Sequence, residues 1–234
     1  FVYPRATTMK KPMIAIAAAA AVVVLATQVS QPPALSGHSA KLKDAQGLKA
    51  KIQVDEVGGA RTTIDLSYSK PDRMRIETDA RLVVSDGRTL TVLDKAKNTY
   101  TQTPLDRAGL LRESGQAGVW GWAGFFESDP DKLFKAAKAG AGRNFRGVPT
   151  STVDVTLADG KTLTTMFIES KTGIAKGFQI VLEGKQYIVA AETIEVLVTA
   201  VPEETYAFEA PAGATKVEPH AIGDVGWAQV ATIF

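Results

Sequence analysis

The sequence predicts a mainly β fold of the α+β class: a curved antiparallel sheet or incomplete β-barrel of about nine to eleven strands under a short helical lid. Three observations predict it. Apolar and polar residues alternate over many short segments, turn-forming dipeptides separate these segments, and helical periodicity is confined to the start and the middle of the chain. Successive strands without helices between them pair antiparallel, because a parallel pair needs a long crossover.

Composition limits the classes of function. Of 234 residues, 45% are hydrophobic and 22% are charged, which is ordinary for a globular protein with a buried core. The formal net charge is only +2, and no run of Lys and Arg is present, so nucleic acid is not an expected partner. The chain has no cysteine, so no disulfide supports the fold and no N-terminal cysteine carries a lipid.

The N-terminal part has the pattern of a secretory signal peptide over residues 9–26. Met9-Lys10-Lys11 precedes the apolar run PMIAIAAAAAVVVLA, which is short for a membrane span. Val24 and Ala26 fit the small-residue pattern of a cleavage site, so the mature chain begins near Thr27. We therefore expect a periplasmic protein; an uncleaved N-terminal membrane anchor is the alternative.

Residues 1–8 precede the initiator-like methionine and form an upstream extension. The segment 27–40 is rich in Ser, Pro and Gln and is predicted to be a linker. Helix-forming residues around Leu42, Ala45 and Leu48 predict a short helix within 41–50.

The first half of the folded domain is predicted to be a meander of six short strands. Its turns are Gly58-Gly59, Asp86-Gly87 and Lys97-Asn98. The strands are LKAKIQVDEV, TTIDLSYS, RMRIET, the segment with Leu82 and Val84, RTLTVLD and TYTQT.

The middle of the chain changes character. PLDRAGLLRES (104–114) is predicted to be helical, and so is DPDKLFKAAKAG (129–140), with Asp129 as N-cap and Pro130 at the first helical position. Between them, four aromatic residues are spaced by glycines.

Strands resume in TSTVDVTLADG, KTLTTMFIES, IAKGFQIVLEG and YIVAAETIEVLVTA, with turns at Asp159-Gly160 and Glu183-Gly184. YAFEAPAGATKV (206–217) ends the regular region. One domain over 41–217 and a C-terminal tail, 218–234, are therefore expected.

A sheet of this width has an apolar face that two or three short helices cannot fill. Either the sheet closes into a packed barrel, or a cavity remains beneath a helical lid. The apolar residues predicted to line the cavity are Ile64, Leu66, Tyr68, Met74, Ile76, Leu82, Val84, Leu90 and Val92. The aromatic residues Trp120, Trp122, Phe125 and Phe126 either plug the core or lie in the lid.

The sequence offers no convincing catalytic or metal site. It lacks a G-x-S-x-G elbow, an H-E-x-x-H motif and a Gly-rich phosphate loop, and its only histidines are His38, in the predicted linker, and His220, in the tail. Asp86 and Asp159 precede glycines, where turn formation explains them. A binding protein without cofactor or metal is therefore favoured over an enzyme.

Three motifs resemble the outer-membrane lipoprotein carriers of the LolA type. Ser85-Asp86-Gly87-Arg88-Thr89-Leu90 is similar to a characteristic hairpin of that family, and Phe208, Pro211 and Gly213 to its closing strand and turn. The segments GVPTSTVDV and IESKTGIAKGF look like its central hairpin. The resemblance extends from about residue 40 to residue 217.

The resemblance implies an incomplete β-barrel around a helical lid, with an apolar cavity for the acyl chains of lipids or lipoproteins and an inner- or outer-membrane receptor as partner. Lys70 stands where the family has an arginine that helps to hold the lid closed, but lysine lacks the planar fork of arginine. Met74, Ile76 and Thr91 replace aromatic residues of the family pattern, which indicates a divergent member.

Two further hypotheses remain beside the carrier. The same scaffold could be an envelope sensor or interaction domain that binds a protein partner through its convex face or an edge strand. An enzyme acting on a lipid-linked substrate would need a nucleophile or base, and the sequence offers no convincing one.

Overall fold

The computed structural model describes residues 31–157, 160–161, 163–182 and 184–219. Within them, thirteen strands form a single sheet, accompanied by two α-helices and three short 3-10 helices. The strands are β1 (Gly47–Glu56), β2 (Arg61–Ser69), β3 (Arg73–Glu77), β4 (Arg81–Asp86), β5 (Thr89–Asp94), β6 (Thr99–Pro104), β7 (Phe134–Ala139), β8 (Arg143–Phe145), β9 (Val148–Leu157), β10 (Leu163–Glu169), β11 (Ala175–Leu182), β12 (Lys185–Leu197) and β13 (Thr215–Lys216). The helices are α1 (Pro33–Asp44), α2 (Arg107–Gln116) and the 3-10 helices Trp120–Phe126, Pro130–Leu133 and Glu203–Tyr206.

The strands follow the order β13-β6-β5-β4-β3-β2-β1-β12-β11-β10-β9-β7, and β8 also pairs with β9. All pairs are antiparallel except β13 with β6. Within the described residues the two end strands, β13 and β7, do not pair with each other, so the curved sheet is open. The predicted fold class is confirmed. The strand count exceeds the prediction because three short strands, β7, β8 and β13, were not expected.

The alternation predicted for β1, β2 and β3 is confirmed. Residues at every second position are buried on the face that also packs against α1 and α2, and this face is called the inner face. A bulge between Lys51 and Ile52 shifts the register of β1 against β12, and a second bulge lies between Phe167 and Ile168 in β10. Bulges increase local twist, which helps such a wide sheet to curve.

Two smaller apolar clusters cover parts of the opposite, outer face. In one, the segment from Val201 to Phe208 packs on β4 and β5. Ser69 fixes this segment, because its Oγ accepts hydrogen bonds from the Val201 amide and from the Tyr206 hydroxyl, both at 2.8 Å. In the other, the ring of Phe145 stacks on that of Phe167 at 4.1 Å. The sheet is therefore partly covered on both faces.

Helix α1 corrects two expectations at the start of the domain. The predicted linker ends well before residue 40, since residues 33–40 are helical and bury Leu35 and His38. The helix predicted within 41–50 ends at Asp44, because Leu48 and Ala50 belong to β1. Proline at the first helical position favours the early start.

The helix predicted over 129–140 is also wrong. Only Pro130–Leu133 is helical, as a 3-10 turn, and Phe134–Ala139 forms β7 against β9. The alanines and lysines of this segment favour a helix, but helix propensity is weak. Pairing with the edge of β9 outweighs it here. The helix predicted over 104–114 is confirmed as α2, with Asp106 accepting from the Gly109 amide as its N-cap.

The predicted signal peptide 9–26 and residues 220–234 of the tail lie outside the described residues, as do Asp159 and Glu183 of two predicted turns. Among the helices that the structure describes, none is long and apolar enough to cross a membrane.

Candidate functional site

The inner face of the sheet is an apolar surface to which seven of the nine predicted cavity residues contribute. They are Ile64, Leu66, Tyr68, Met74, Ile76, Leu90 and Val92. Strands β2, β3 and β5 bring them together because inward side chains recur at every second position. These seven residues form one continuous buried cluster.

Leu82 and Val84 are not on this face, so their prediction as cavity residues is wrong. Both pack on the outer face, in the cluster with Tyr206. Val83 takes the inward position, because it pairs directly with Ile76, and directly paired residues point to the same side. The run Leu82-Val83-Val84 is apolar throughout since β4 is covered on both faces, and alternation cannot then identify the inward residue.

The four predicted aromatic residues lie in the 3-10 helix Trp120–Phe126, which is called the aromatic plug. Trp120, Trp122 and Phe125 are fully buried and Phe126 is 2% exposed. Their rings lie against the sheet: Trp120 is 4.4 Å from Phe178 of β11, and Phe126 is 4.6 Å from Tyr68 of β2, between ring centroids. In this structure the plug packs directly against the inner face.

Glycines allow the aromatic plug to approach its neighbours closely. A β-carbon at Gly121 would lie 2.7 Å from the Phe178 ring, and one at Gly124 would lie 3.1 Å from Pro130. Gly118 precedes the plug in the left-handed region, with φ 76°, where the chain leaves α2. The glycine spacing therefore serves close packing in this conformation.

His38 joins three elements at one end of the plug. Its Nδ1 accepts a hydrogen bond from the Ala175 amide of β11 at 3.2 Å, so the proton must reside on Nε2, which donates to the Gly121 carbonyl at 3.3 Å. Burial lowers the pKa of His38 to about 4, while the hydrogen bond to Gly121 opposes this shift. Above that pH the imidazole is neutral and holds α1, the plug and β11 together.

Lys70, the predicted latch, reaches the C-terminal end of α1. Its Nζ donates to the Leu42 carbonyl at 3.1 Å and also to the Lys43 carbonyl, and it lies 5.1 Å from the centre of the Phe125 ring. Carbonyls at a helix C-terminus attract a cation, and so does an aromatic face. Partial burial lowers the pKa of the Lys70 ammonium, and the Asp44 carboxylate opposes that shift. Lys70 therefore links β2, α1 and the plug.

Polar contacts also anchor α2 to the sheet. Arg81 of β4 donates to the Glu113 carboxylate at 2.7 Å and to the Gln116 amide oxygen at 3.1 Å. Ser114 Oγ lies 2.8 Å from the Tyr68 hydroxyl. Burial raises the pKa of that hydroxyl, and its hydrogen bond with Ser114 opposes the shift, so Tyr68 stays neutral at physiological pH. Helix α2, which precedes the plug in the chain, is thus held against β2 and β4 by these side-chain hydrogen bonds.

The side chains of this site are apolar, which suits contact with apolar groups. Phe178, Met166 and Ile180, which sequence analysis did not select, extend the inner face across β10 and β11. Their alternation within these strands was the signal that could have identified them. Across the described part of the chain, no group of three His, Asp or Glu residues is placed to hold a metal ion.

No family model and no curated protein sequence matches the chain. Solved structures do resemble it. An uncharacterised conserved protein from Thermus thermophilus is 11% identical, with a TM-score of 0.52 over 79% of this chain and 96% of that one. This similarity supports the assignment of the fold.

Two other similar structures have lower scores. The MucA/MucB complex of Pseudomonas aeruginosa is 16% identical, with a TM-score of 0.40 over 76% of this chain and 60% of that one. A LolA superfamily protein from Nitrosomonas europaea is 8% identical, with a TM-score of 0.35 over 75% of this chain and 97% of that one.

Proposed function

We propose that the protein is a non-catalytic carrier or binding protein of the cell envelope, which holds lipid or lipoprotein acyl chains against the inner face of the sheet. The observation that carries this proposal is the way in which that face is covered. The aromatic plug is not a strand of the sheet. Apart from its apolar packing, few polar contacts between the plug and other elements are seen in the described part of the chain. They are the hydrogen bond of His38 to Gly121, the hydrogen bond of Trp122 to Ala175, and the contact of the Lys70 ammonium with the Phe125 ring.

An acyl chain is a suitable replacement for the plug. Each buried CH₂ group stabilises a complex by about 0.8 kcal/mol, so a chain of ordinary length can offset the loss of aromatic packing. The predicted export signal and the resemblance of the sequence motifs to lipoprotein carriers support cargo of this class. A membrane receptor that loads or unloads the cargo is part of the proposal.

The test begins with native mass spectrometry of the gently purified protein, followed by extraction and identification of bound molecules. Reproducible adducts of phospholipid or acylated peptide are expected. A clean mass without adducts, together with no uptake of added phospholipid, would contradict the proposal, since the inner face would then be permanently filled.

Lys70→Met tests whether the plug controls access. Loss of the bonds to the α1 carbonyls should make exchange of bound lipid severalfold faster. Lys176→Met is the matched control, because Lys176 Nζ also donates to a backbone carbonyl at 2.9 Å, but that carbonyl, of Glu192, belongs to β12 and not to α1 or the plug. Equal exchange rates in the two variants would exclude Lys70 as the latch.

A protein-binding role on the same scaffold is the second candidate, and exposed apolar side chains favour it. Val57, Val181 and Leu163 are 55%, 56% and 68% exposed. They lie at one rim of the sheet. Val57 directly follows β1, and its amide donates to the carbonyl of Gln186 in β12, which pairs with Val181 of β11. Leu163 begins β10 and precedes Thr164, which pairs with Ile180 of β11.

This candidate predicts a stoichiometric membrane partner that co-purifies with the wild type and is lost from Val181→Lys. Lipid uptake should be unchanged in that variant, which separates the two functions. Loss of lipid uptake with retention of the partner would assign this rim to the carrier role instead.

Export is a separate part of the proposal. Cleavage after Ala26 is expected, and the N-terminal mass of the exported protein measures it. A mass that retains Met9 would favour the N-terminal membrane anchor.

A further inference from the structure

The two tryptophans of the aromatic plug differ in one respect. Both are fully buried, and both pack against the ring of Phe178, at 4.4 Å for Trp120 and 5.6 Å for Trp122. Trp122 Nε1 donates to the Ala175 carbonyl at 3.1 Å. Trp120 Nε1 has no hydrogen-bond partner among the described residues. Buried indole donors usually find an acceptor, so this difference needs an explanation.

A second buried polar atom without a partner lies at the same junction. Ser39 Oγ, on α1, is buried and makes no hydrogen bond within the part of the chain that the structure describes. Ser39 and Trp120 are each one residue away from the hydrogen bond that joins His38 to Gly121. The two residues that adjoin this hydrogen bond in sequence, one on α1 and one in the plug, therefore each carry an unsatisfied polar group. Leaving such groups without partners destabilises the closed state.

This inference rests on the proposed function and specifies its ligand. We propose that the Trp120 indole N–H, with the Ser39 hydroxyl beside the same junction, binds the ester or amide carbonyl of an acyl chain. A bound carbonyl supplies the acceptor that Trp120 lacks when the plug is closed. Trp120 then gains a hydrogen bond that it lacks in the closed state, so acyl chains with a carbonyl are preferred to plain hydrocarbons.

The surroundings favour a neutral carbonyl over an ionised head group. The plug sequence from Val119 to Phe126 contains no titratable side chain. His38 is neutral. The ammonium of Lys41 is directed to the Thr172 carbonyl, and that of Lys70, beside the Phe125 ring, is directed to the carbonyls of Leu42 and Lys43. Glu169, Lys171 and Lys176 near Ala175 are outside the core cluster. An unpaired carboxylate or phosphate would be costly to bury at such a site.

The test compares two ligands that differ mainly in a carbonyl. Binding of the fluorescent hydrocarbon diphenylhexatriene is measured first, and then its displacement by methyl palmitate and by heptadecane, each added from detergent micelles. The wild type should bind methyl palmitate about fivefold to tenfold more tightly than heptadecane, which corresponds to one net hydrogen bond. Trp120→Phe should abolish this preference while keeping affinity for heptadecane.

Trp122→Phe is the matched control, since it removes an indole whose donor already has a partner, and it should keep the preference. Retention of the preference in Trp120→Phe, or its absence in the wild type, would overturn the inference while leaving the carrier function intact. If the wild type takes up neither diphenylhexatriene nor methyl palmitate, the proposed function fails and the inference fails with it.

A measurement on the unaltered protein guards against misfolding of the variants. In ¹H–¹⁵N spectra, the indole proton of Trp120 should shift downfield when methyl palmitate binds, and should shift less with heptadecane. The indole proton of Trp122 already has an acceptor, the Ala175 carbonyl, so its resonance should respond equally to the two ligands. A Trp120 resonance that responds equally to both ligands would overturn the inference.

Discussion

At the scale of single residues, His38 is the clearest case of a role that the sequence did not reveal. It stands among Ser, Gly and Pro in a segment that composition predicts to be a linker, and only tertiary contact shows that it is buried. Its two ring nitrogens join the backbone of β11 to that of the plug. Lys70, by contrast, was selected from the sequence because a family resemblance pointed to its position; its role as a latch stays a prediction.

Burial of His38 predicts that the protein is more stable at pH 7 than at pH 4. The unfolded chain binds a proton below the ordinary pKa of 6.5, whereas the folded chain resists protonation of His38 until the pKa of about 4. The free energy of unfolding therefore falls as the pH decreases between these values, by about 3 kcal/mol in total. Urea unfolding at several pH values measures it.

His38→Gln should flatten this dependence between pH 6.5 and pH 4. His220→Gln, which leaves His38 in place, is the control for removing a histidine. The interpretation is wrong if the wild type and His38→Gln lose stability in parallel over this range.

At the scale of elements, α2 depends on a buried ion pair rather than on its helical sequence. The side chain of Glu113 is only 7% exposed and that of Arg81 is 15% exposed, so their attraction is little screened by solvent. Helix α2 is short and contains two glycines, which makes tertiary contacts decisive for its position.

Arg81→Met should lower the free energy of unfolding by about 3 kcal/mol, because the buried Glu113 carboxylate loses its 2.7 Å counter-ion while the more distant Arg112 remains. The matched control is Lys97→Met, which removes a more exposed pair with Asp94 and should cost less than about 1 kcal/mol. If urea unfolding shows that both variants lose the same free energy of unfolding, the Arg81–Glu113 pair stabilises the protein no more than an exposed pair does.

Gly121→Ala should displace the plug, since the added methyl group would collide with the Phe178 ring. We expect a loss of about 1–3 kcal/mol in stability and faster lipid exchange. Gly37→Ala is the control: apart from its chain neighbours and the backbone of its own helix, no described atom lies within 4 Å of a β-carbon at that position, so stability should rise by up to about 1 kcal/mol. Unchanged lipid exchange in Gly121→Ala would separate the packing of the plug from access to the inner face.

The sequence could predict elements whose pattern is local. Strands β1 to β3 bury one side only, and their alternation identified the inward residues correctly. It could not predict β7, because FKAAKA favours a helix until β9 offers an edge to pair with. The sequence also could not show that Leu82 and Val84 face outward, because the segment around Tyr206 that covers them is more than a hundred residues away in the chain. Contacts that are distant in sequence account for these errors.

At the scale of the whole molecule, the sheet and the plug are held by different kinds of bonds. Strands β1, β2 and β12 have backbone hydrogen bonds to neighbours on both sides, as the pairings of β1 with β2 and with β12 illustrate. The backbone of the plug bonds locally, as when the Trp122 amide donates to the Val119 carbonyl. Opening the plug therefore breaks side-chain packing and a few hydrogen bonds, while the sheet remains intact.

This difference predicts two classes of amide hydrogen exchange under native conditions. Amides of Arg107–Gln116 and Trp120–Phe126 should exchange at least about tenfold faster than those of β1, because they open without global unfolding. Lys70→Met should accelerate amide exchange in the plug and leave the exchange rates of β1 unchanged. Bound lipid should alter the exchange rates of the plug only. If plug and β1 amides exchange at one common rate in the wild type, opening requires global unfolding, and the plug is a fixed part of the core.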